Sequence, residues 1–145
     1  MIRATAFWDA SALVPLCVPE IATSAAALHL KKLAPVVWWG SPMEIQSAIC
    51  RLRREKTLTE AGKQAAVARL EMLSRTWKEI LPGDMLRELA LDLLSNYPLK
   101  AADGAQLAAS LIWCDERPAR RNFVCADQRL SRTARSIGFK VLEMF

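Results

Sequence analysis

Four acidic residues of this sequence stand beside apolar segments, where a carboxylate is costly unless it is paired or bound to a cation. Asp9 follows "ATAFW", Asp127 follows "NFVCA", Asp103 lies within "LKAADGAQLAASL", and Glu44 lies in "SPMEIQSAIC". Carboxylates that lie close together repel one another unless a cation holds them, and hard divalent ions prefer oxygen ligands. If the fold brings these four residues together, their chemistry suits a metal-dependent hydrolytic site.

Asp103 is the acid for which a purely structural role is hardest to find. On a helix it shares a face with Leu107, Ser110, Leu111 and Cys114, so it is expected to point toward the core. The helix dipole would stabilise a first-turn carboxylate by about 0.3–1 kcal/mol, which does not match the several kcal/mol that burial costs.

The other three acids also have structural interpretations. Asp9 and Asp127 can end a strand as turn residues or cap the following helix. Ser41 and Glu44 have the S-x-x-E spacing of a capping box, in which the glutamate bonds back to the serine amide. Taken one at a time, capping is the simpler interpretation for each of these three residues.

Composition narrows the chemistry and the class of partner. The 20 basic and 15 acidic residues give a net charge of +5, and many basic residues fall in "RLRREK" and "RPARRNFVCADQRLSRTAR", which favours nucleic acid as a partner. The single histidine, His29, argues against paired-histidine ribonucleases, HNH nucleases and histidine-ligated zinc. The four cysteines form no CxxC pair, so a zinc or dithiol redox site is not expected. A metal-dependent nuclease fits this combination.

Hydrophobic periodicity predicts alternating strands and helices. The predicted strands cover 2–8, 35–39, 78–82, 122–127 and 139–144, and the predicted helices cover 11–18, 23–33, 41–56, 57–77, 83–97, 99–114 and 128–138. Ser11 and Ser41 are the expected caps of the first and third helices, with Pro42 at the first helical position. Trp8, Trp38 and Trp39 are expected to be core residues of strands.

This order predicts an α/β fold, a three-layer sandwich whose central parallel sheet is flanked by helices. The 145 residues show no repeat and no linker, so we expect one domain over 1–145. No apolar run reaches the ~18 residues of a membrane span and no signal peptide is evident, so a cytoplasmic protein without a membrane partner is expected.

Four segments together resemble the successive signature blocks of PIN-domain proteins. These are "FWDASALVPLCVPE", "SPMEIQSAICRLRREKTLT", "YPLKAADGAQLAASL" and "FVCADQRLSRTARSIGFKVL", and they run from Phe7 to Leu142. Among these proteins, the blocks look closest to the VapC toxin ribonucleases of bacterial toxin–antitoxin pairs. Gly104 and Gln106 stand where the family often has alanine and histidine.

The resemblance implies a function and a set of site residues. Asp9, Glu44, Asp103 and Asp127 match the family's four catalytic, metal-binding acids, and Ser11 matches the hydroxyl residue that supports the first of them. The implied activity is Mg²⁺-dependent hydrolysis of RNA by an activated water, with Mn²⁺ as a possible substitute. The implied partners are RNA, a cognate antitoxin and a second copy of the chain. Arg129 and Arg132 are candidate contacts for RNA or antitoxin, or alternatively part of a solvated helix face.

Three other functions remain open at this stage. A PIN nuclease could process RNA without being a toxin, and a PIN module could bind RNA or protein without cutting. A phosphatase using Asp9 as nucleophile is a further alternative, although the D-x-D pattern common in such enzymes is absent.

Overall fold

The described structure is a computed structural model covering residues 3–144. Within these residues, five strands form one sheet: β1 (Ala4–Trp8), β2 (Leu33–Trp38), β3 (Lys78–Ile80), β4 (Asn122–Cys125) and β5 (Lys140–Glu143). The helices are α1 (Ala10–Cys17), α2 (Thr23–Lys32), α3 (Ser41–Arg54), α4 (Glu60–Ser74), α5 (Asp84–Asn96), α6 (Ala101–Trp113) and α7 (Gln128–Ile137). The predicted order of elements is confirmed, and Ile2 of the first predicted strand lies outside the described residues.

All strand pairs in the sheet are parallel, and the strand order is β3-β2-β1-β4-β5. The chain therefore leaves β1 toward β2 on one side and reaches β4 on the other side. The crevice beyond the carboxyl ends of β1 and β4 is the switch point at which open α/β sheets bind ligands.

Alternate residues of the central strands enter two separate cores, because successive side chains of a strand point to opposite faces. Trp8, Val37 and Val124 pack with α1, α2, α3 and α4. Phe7, Val36 and Phe123 pack with α5, α6 and α7. The predicted α/β sandwich of helix, sheet and helix layers is confirmed.

Two of the expected helix caps are wrong. The first helix begins at Ala10 rather than Ser11, and Asp9 is its cap because the Asp9 carboxylate accepts the Ser11 amide proton. The third helix begins at Ser41 itself, follows Gly40, and has no side-chain cap. The Ser41 hydroxyl instead accepts a hydrogen bond from Gln106 of α6, so tertiary contact replaces the local capping box.

Two further expectations need correction. The second helix ends at Lys32, and Leu33 already belongs to β2. Trp8 is fully buried and Trp38 is half-buried, but Trp39 is 46% exposed because it lies past the end of β2.

Candidate functional site

One cavity at the carboxyl edge of the sheet brings together all four acids singled out in the sequence. Its volume is about 840 Å³, and its wall includes Asp9, Glu44, Asp103 and Asp127, together with Ser11. The four carboxylates come from four segments that are distant in sequence. Asp9 and Asp127 follow β1 and β4, and Glu44 begins the helix after β2, so the parallel sheet places these three at the same edge. Asp103 reaches the same cavity from the start of α6, which follows α5 rather than a strand.

Asp9 and Ser11 form the part of the site between β1 and α1. The Asp9 backbone amide donates to the Val124 carbonyl at 3.0 Å, which joins the end of β1 to β4. The Ser11 amide and hydroxyl both donate to Asp9 Oδ2, while Ser11 Oγ accepts from the Ala126 amide at 3.0 Å. Ser11 therefore fixes the Asp9 carboxylate and connects it to the chain that leads into Asp127.

Asp127 follows β4 and caps α7. Its Oδ1 accepts from the Leu130 amide at 3.0 Å. Its own amide donates to the buried Cys125 thiol at 3.4 Å, and that sulfur lies 4.0 Å from Asp9 Oδ2. Cys125 thus fills the space beneath the two strand-end acids.

Glu44 lies in the first turn of α3 and is held by a residue of α6. Gln106 is fully buried, and its Nε2 donates to Glu44 Oε2 at 2.9 Å and to Ser41 Oγ at 3.0 Å. Within the described residues, the Gln106 Oε1 atom is buried without a hydrogen-bond partner. Sequence reasoning missed this contact, although Gln106 lies three residues after Asp103 and therefore on the same side of the helix.

Asp103 lies in the first turn of α6, as expected, but it is partly open to solvent. Its Oδ2 accepts from the Lys100 amide at 3.1 Å and lies 3.7 Å from Arg129 Nη2. Its side chain is 17% exposed. The arginine and the helix start partly offset the charge that made this residue hard to explain.

Arg129 and Arg132, the candidate contacts for RNA or antitoxin, differ in position. Arg129 contacts Asp103 and so belongs to the site. Arg132, one turn further along α7, is exposed, and its side chain makes no hydrogen bond or ion pair to residues 3–144. Arg51 was not singled out in the sequence but lies on the cavity wall. Its position seven residues after Glu44 is the signal that could have found it.

Burial and mutual repulsion raise the pKa of two of the acids. Burial raises the pKa of Asp9 to about 6, and the negative charges of Asp103 and Asp127 add to the effect, while hydrogen bonds from Ser11 oppose it. Burial, followed by the charge of Asp9, raises the pKa of Glu44 to about 7, although the bond from Gln106 lowers it. These electrostatic effects also mean that the carboxylates are close enough to interact.

The donor set suits a hard divalent cation. In each acid one oxygen is held by the protein: Asp9 Oδ2, Glu44 Oε2, Asp103 Oδ2 and Asp127 Oδ1. The other oxygen accepts no hydrogen bond from residues 3–144, so capping does not prevent these acids from binding a metal. Within residues 3–144, no three or more His, Cys, Asp or Glu side chains are arranged closely enough to hold an ion by themselves. Mg²⁺ fits such an open arrangement, because it commonly takes one or two carboxylates and keeps several waters.

Comparison with known proteins gives similarity at the level of fold. No protein-family model matches the sequence, and no curated protein matches it either. Among solved structures, a chain from a toxin–antitoxin complex of Klebsiella pneumoniae superposes with a TM-score of 0.66 and 15% identity, covering 97% of this chain and 98% of that one. The protein PAE2754 from Pyrobaculum aerophilum superposes with a TM-score of 0.65 and 18% identity, covering 97% of this chain and 90% of that one.

The fold is shared with a protein of a toxin–antitoxin complex. The alignments extend over nearly the full length of both chains, so the similarity is one of the whole fold. Within the described residues, none of the helices is both long and apolar enough to cross a membrane.

Proposed function

We propose that this protein is a metal-dependent endoribonuclease of the PIN-domain, VapC-like type and acts as the toxin of a toxin–antitoxin pair. The observation that carries the proposal is the convergence of four carboxylates on one cavity at the switch point of a parallel sheet. The net charge of +5 supports an anionic substrate. RNA as substrate and the toxin role rest on the sequence resemblance and on the shared fold.

The four acids would hold Mg²⁺ or Mn²⁺, which would supply an activated water and stabilise the leaving oxygen of a phosphodiester. Ser11 keeps Asp9 in one orientation and leaves Asp9 Oδ1 free to face the cavity. Gln106 does the same for Glu44 Oε1. Because the pKa values of Asp9 and Glu44 are raised, a bound cation would favour their ionised forms, and metal binding should release protons from these two acids.

The activity test compares the wild type with Asp103→Asn on a mixed pool of structured RNAs. We expect Mg²⁺ or Mn²⁺ to support cleavage, a chelator to abolish it, and the substitution to lower the rate at least about 100-fold. Asp92→Asn is the matched control, because Asp92 is an exposed acid of α5 that is absent from the cavity wall. RNA binding without cleavage by the wild type under either metal would overturn the nuclease proposal in favour of a binding module.

The toxin role has a separate test. Induced expression should arrest bacterial growth, and co-expression of a cognate antitoxin, sought among the small proteins encoded beside this one, should relieve the arrest. Asp103→Asn should be harmless. A protein that cleaves RNA in vitro but leaves growth unchanged would instead be an RNA-processing nuclease. For either role, the cytoplasm is the proposed place of action.

We also propose that the chain forms a homodimer through an apolar surface beside the site, formed by Trp39, Met43, Leu81 and Met85. These side chains are 46%, 62%, 65% and 64% exposed, and they lie at the carboxyl ends of β2 and β3 or in the first turns of α3 and α5. The Trp39 amide donates to the Ile80 carbonyl at 3.0 Å, which brings Trp39 next to Leu81. Apolar side chains grouped in this way commonly mark an interface.

A further inference from the structure

The cavity is much larger than a metal ion requires. A hydrated ion with about six waters needs roughly 200 Å³, taking about 30 Å³ for each water. The cavity has a volume of about 840 Å³ and continues past the carboxylates along a wall that contains Val14, Ile21 and Arg51. The additional space is therefore available to a part of the substrate beyond the reacting phosphate.

Arg51 supplies a positive charge at the far end of this space. It lies two turns after Glu44 on the same side of α3, about 10 Å further along the helix. Its Nε is 3.8 Å from Glu55 Oε1, and both side chains are more than half exposed. Glu20 also lines the cavity, and it lies close enough to Arg51 for the two opposite charges to attract each other. Because exposed pairs of this kind are weak and screened by salt, Arg51 can exchange a carboxylate for a phosphate.

Arg129 supplies a second positive charge on the other side of the four acids. Its Nη2 is 3.7 Å from Asp103 Oδ2, and its side chain is about half exposed. The helix that carries it, α7, packs in the core formed with Phe7, whereas α3 packs in the core formed with Trp8. The two guanidinium groups therefore belong to opposite helix layers, with the carboxylates at the sheet edge between them.

We propose that Arg51 and Arg129 mark the two ends of a track for single-stranded RNA that crosses the carboxyl edge of the sheet. One phosphate lies at the four acids, and flanking phosphates on either side contact the two arginines. The identity of the strand as RNA rests on the proposed function. A single strand fits this arrangement because its backbone can bend from one helix layer, over the sheet edge, to the other.

The test is the salt dependence of binding to a fluorescently labelled, unstructured RNA oligonucleotide, measured by anisotropy. Ca²⁺ replaces Mg²⁺, and gels verify that the RNA stays intact. Each lost phosphate contact to a single strand should lower the slope of log K against log salt by about 0.7 and weaken binding about fourfold at 0.15 M salt. Arg51→Gln and Arg129→Gln should each show this loss, and the double variant should show both.

Two arginines on the same helices provide matched controls. Arg54 is exposed on α3 but is absent from the cavity wall, and Arg132 is exposed on α7 one turn after Arg129. Arg54→Gln and Arg132→Gln should keep the wild-type slope. Equal losses in all four variants would mean that the net charge attracts RNA without a track, and unchanged slopes in the two track variants would also overturn the proposal. Circular dichroism of each variant checks that the fold is retained.

The cleavage assay separates this inference from the proposed function. RNA that binds with the expected slopes but is not cut by the wild type would leave the track in place and overturn the nuclease activity. Cleavage by the wild type with slopes that do not respond to Arg51→Gln or Arg129→Gln would keep the activity and overturn the track.

Discussion

Asp9→Asn should stabilise the metal-free protein at pH 8 while removing its response to metal. Asp9 is 4% exposed, and its pKa in the folded protein is about 6 against an ordinary value of 3.8. At about 1.36 kcal/mol per pH unit, this difference makes the ionised carboxylate cost the folded state about 3 kcal/mol. Asparagine removes the charge but weakens the bonds from Ser11 by about 1 kcal/mol. A net gain of about 1–2 kcal/mol is expected, a rise in Tm of several degrees for a chain of this size.

The pH dependence of this gain has a defined sign. Because the folded pKa is raised, the folded state binds a proton more tightly than the unfolded state does. The free-energy cost of the ionised Asp9 carboxylate in the folded protein is absent below pH 3.8, grows as the pH rises through about 6, and is constant above that. In the presence of a chelator, the difference in unfolding free energy between Asp9→Asn and the wild type should therefore grow between pH 4 and pH 7 and then stay level.

Urea unfolding at pH 4.5, 6 and 8 measures the difference, and added Mg²⁺ should reverse it. A ligand at 100 times its Kd stabilises the folded state by about 2.7 kcal/mol, which only the wild type should gain. Asp92→Asn should leave the unfolding free energy unchanged at every pH, because Asp92 is exposed. A variant that is less stable than the wild type by the same amount at pH 4.5 and pH 8 would refute the reasoning, since the buried charge would then carry no cost.

Two further substitutions test other parts of the site. Gln106→Leu should lower the unfolding free energy by about 1–3 kcal/mol and weaken Mn²⁺ binding, because two acceptors on α3 lose their buried donor. Calorimetry measures the binding, and Ser110→Ala is the control because the Ser110 hydroxyl bonds only within α6. If both variants bound Mn²⁺ as tightly as the wild type, the prediction would be wrong. Leu81→Glu should convert the proposed dimer to monomers in sedimentation experiments, because it buries a charge in an apolar surface. Leu91→Glu replaces another exposed apolar residue, on α5, and should leave the dimer intact. A Leu81→Glu protein that stays dimeric would place the interface elsewhere.

The fold could be predicted from the sequence because its signals are local and mutually consistent. The five strands are short apolar segments that alternate with amphipathic helices, and parallel order follows from that alternation. A threonine is a common helix cap, and the Thr59 hydroxyl caps α4 by accepting the Gly62 amide proton. The caps of α1 and α3 were less predictable. A serine at a helix start is a common cap, but Ser11 donates to Asp9 two residues before it, and Ser41 accepts from Gln106 in a tertiary contact that the local sequence does not show.

The site itself was only partly predictable. Unpaired acids beside apolar segments pointed to the four carboxylates, because the cost of burying a charge can be recognised from its neighbours in sequence. The contact between Gln106 and Glu44 could not be recognised in this way, because a buried glutamine in a helix resembles any other polar residue until α3 is seen to lie against it. Arg129 and Arg132 could not be distinguished from sequence either, because one turn of helix decides which of them reaches Asp103.

The structure answers how four carboxylates can share one cavity before any cation binds. Each lies at the start of a helix: Asp9 and Asp127 cap α1 and α7, and Glu44 and Asp103 lie in the first turns of α3 and α6. The positive ends of four helix dipoles therefore face the same space and stabilise its negative charge. The raised pKa values of Asp9 and Glu44 mean that this stabilisation is incomplete.

The same arrangement determines how a phosphate can be bound. Helix starts often bind phosphate through free backbone N–H groups. Here the amides of Ser11, Leu130 and Lys100 already donate to the carboxylates of Asp9, Asp127 and Asp103. An RNA phosphate would therefore meet negative charge where other α/β proteins offer donors. Under the proposed function, its binding would depend on a cation between the carboxylates and on arginines at the edge of the cavity. Removing the metal and removing the arginines should then weaken RNA binding separately.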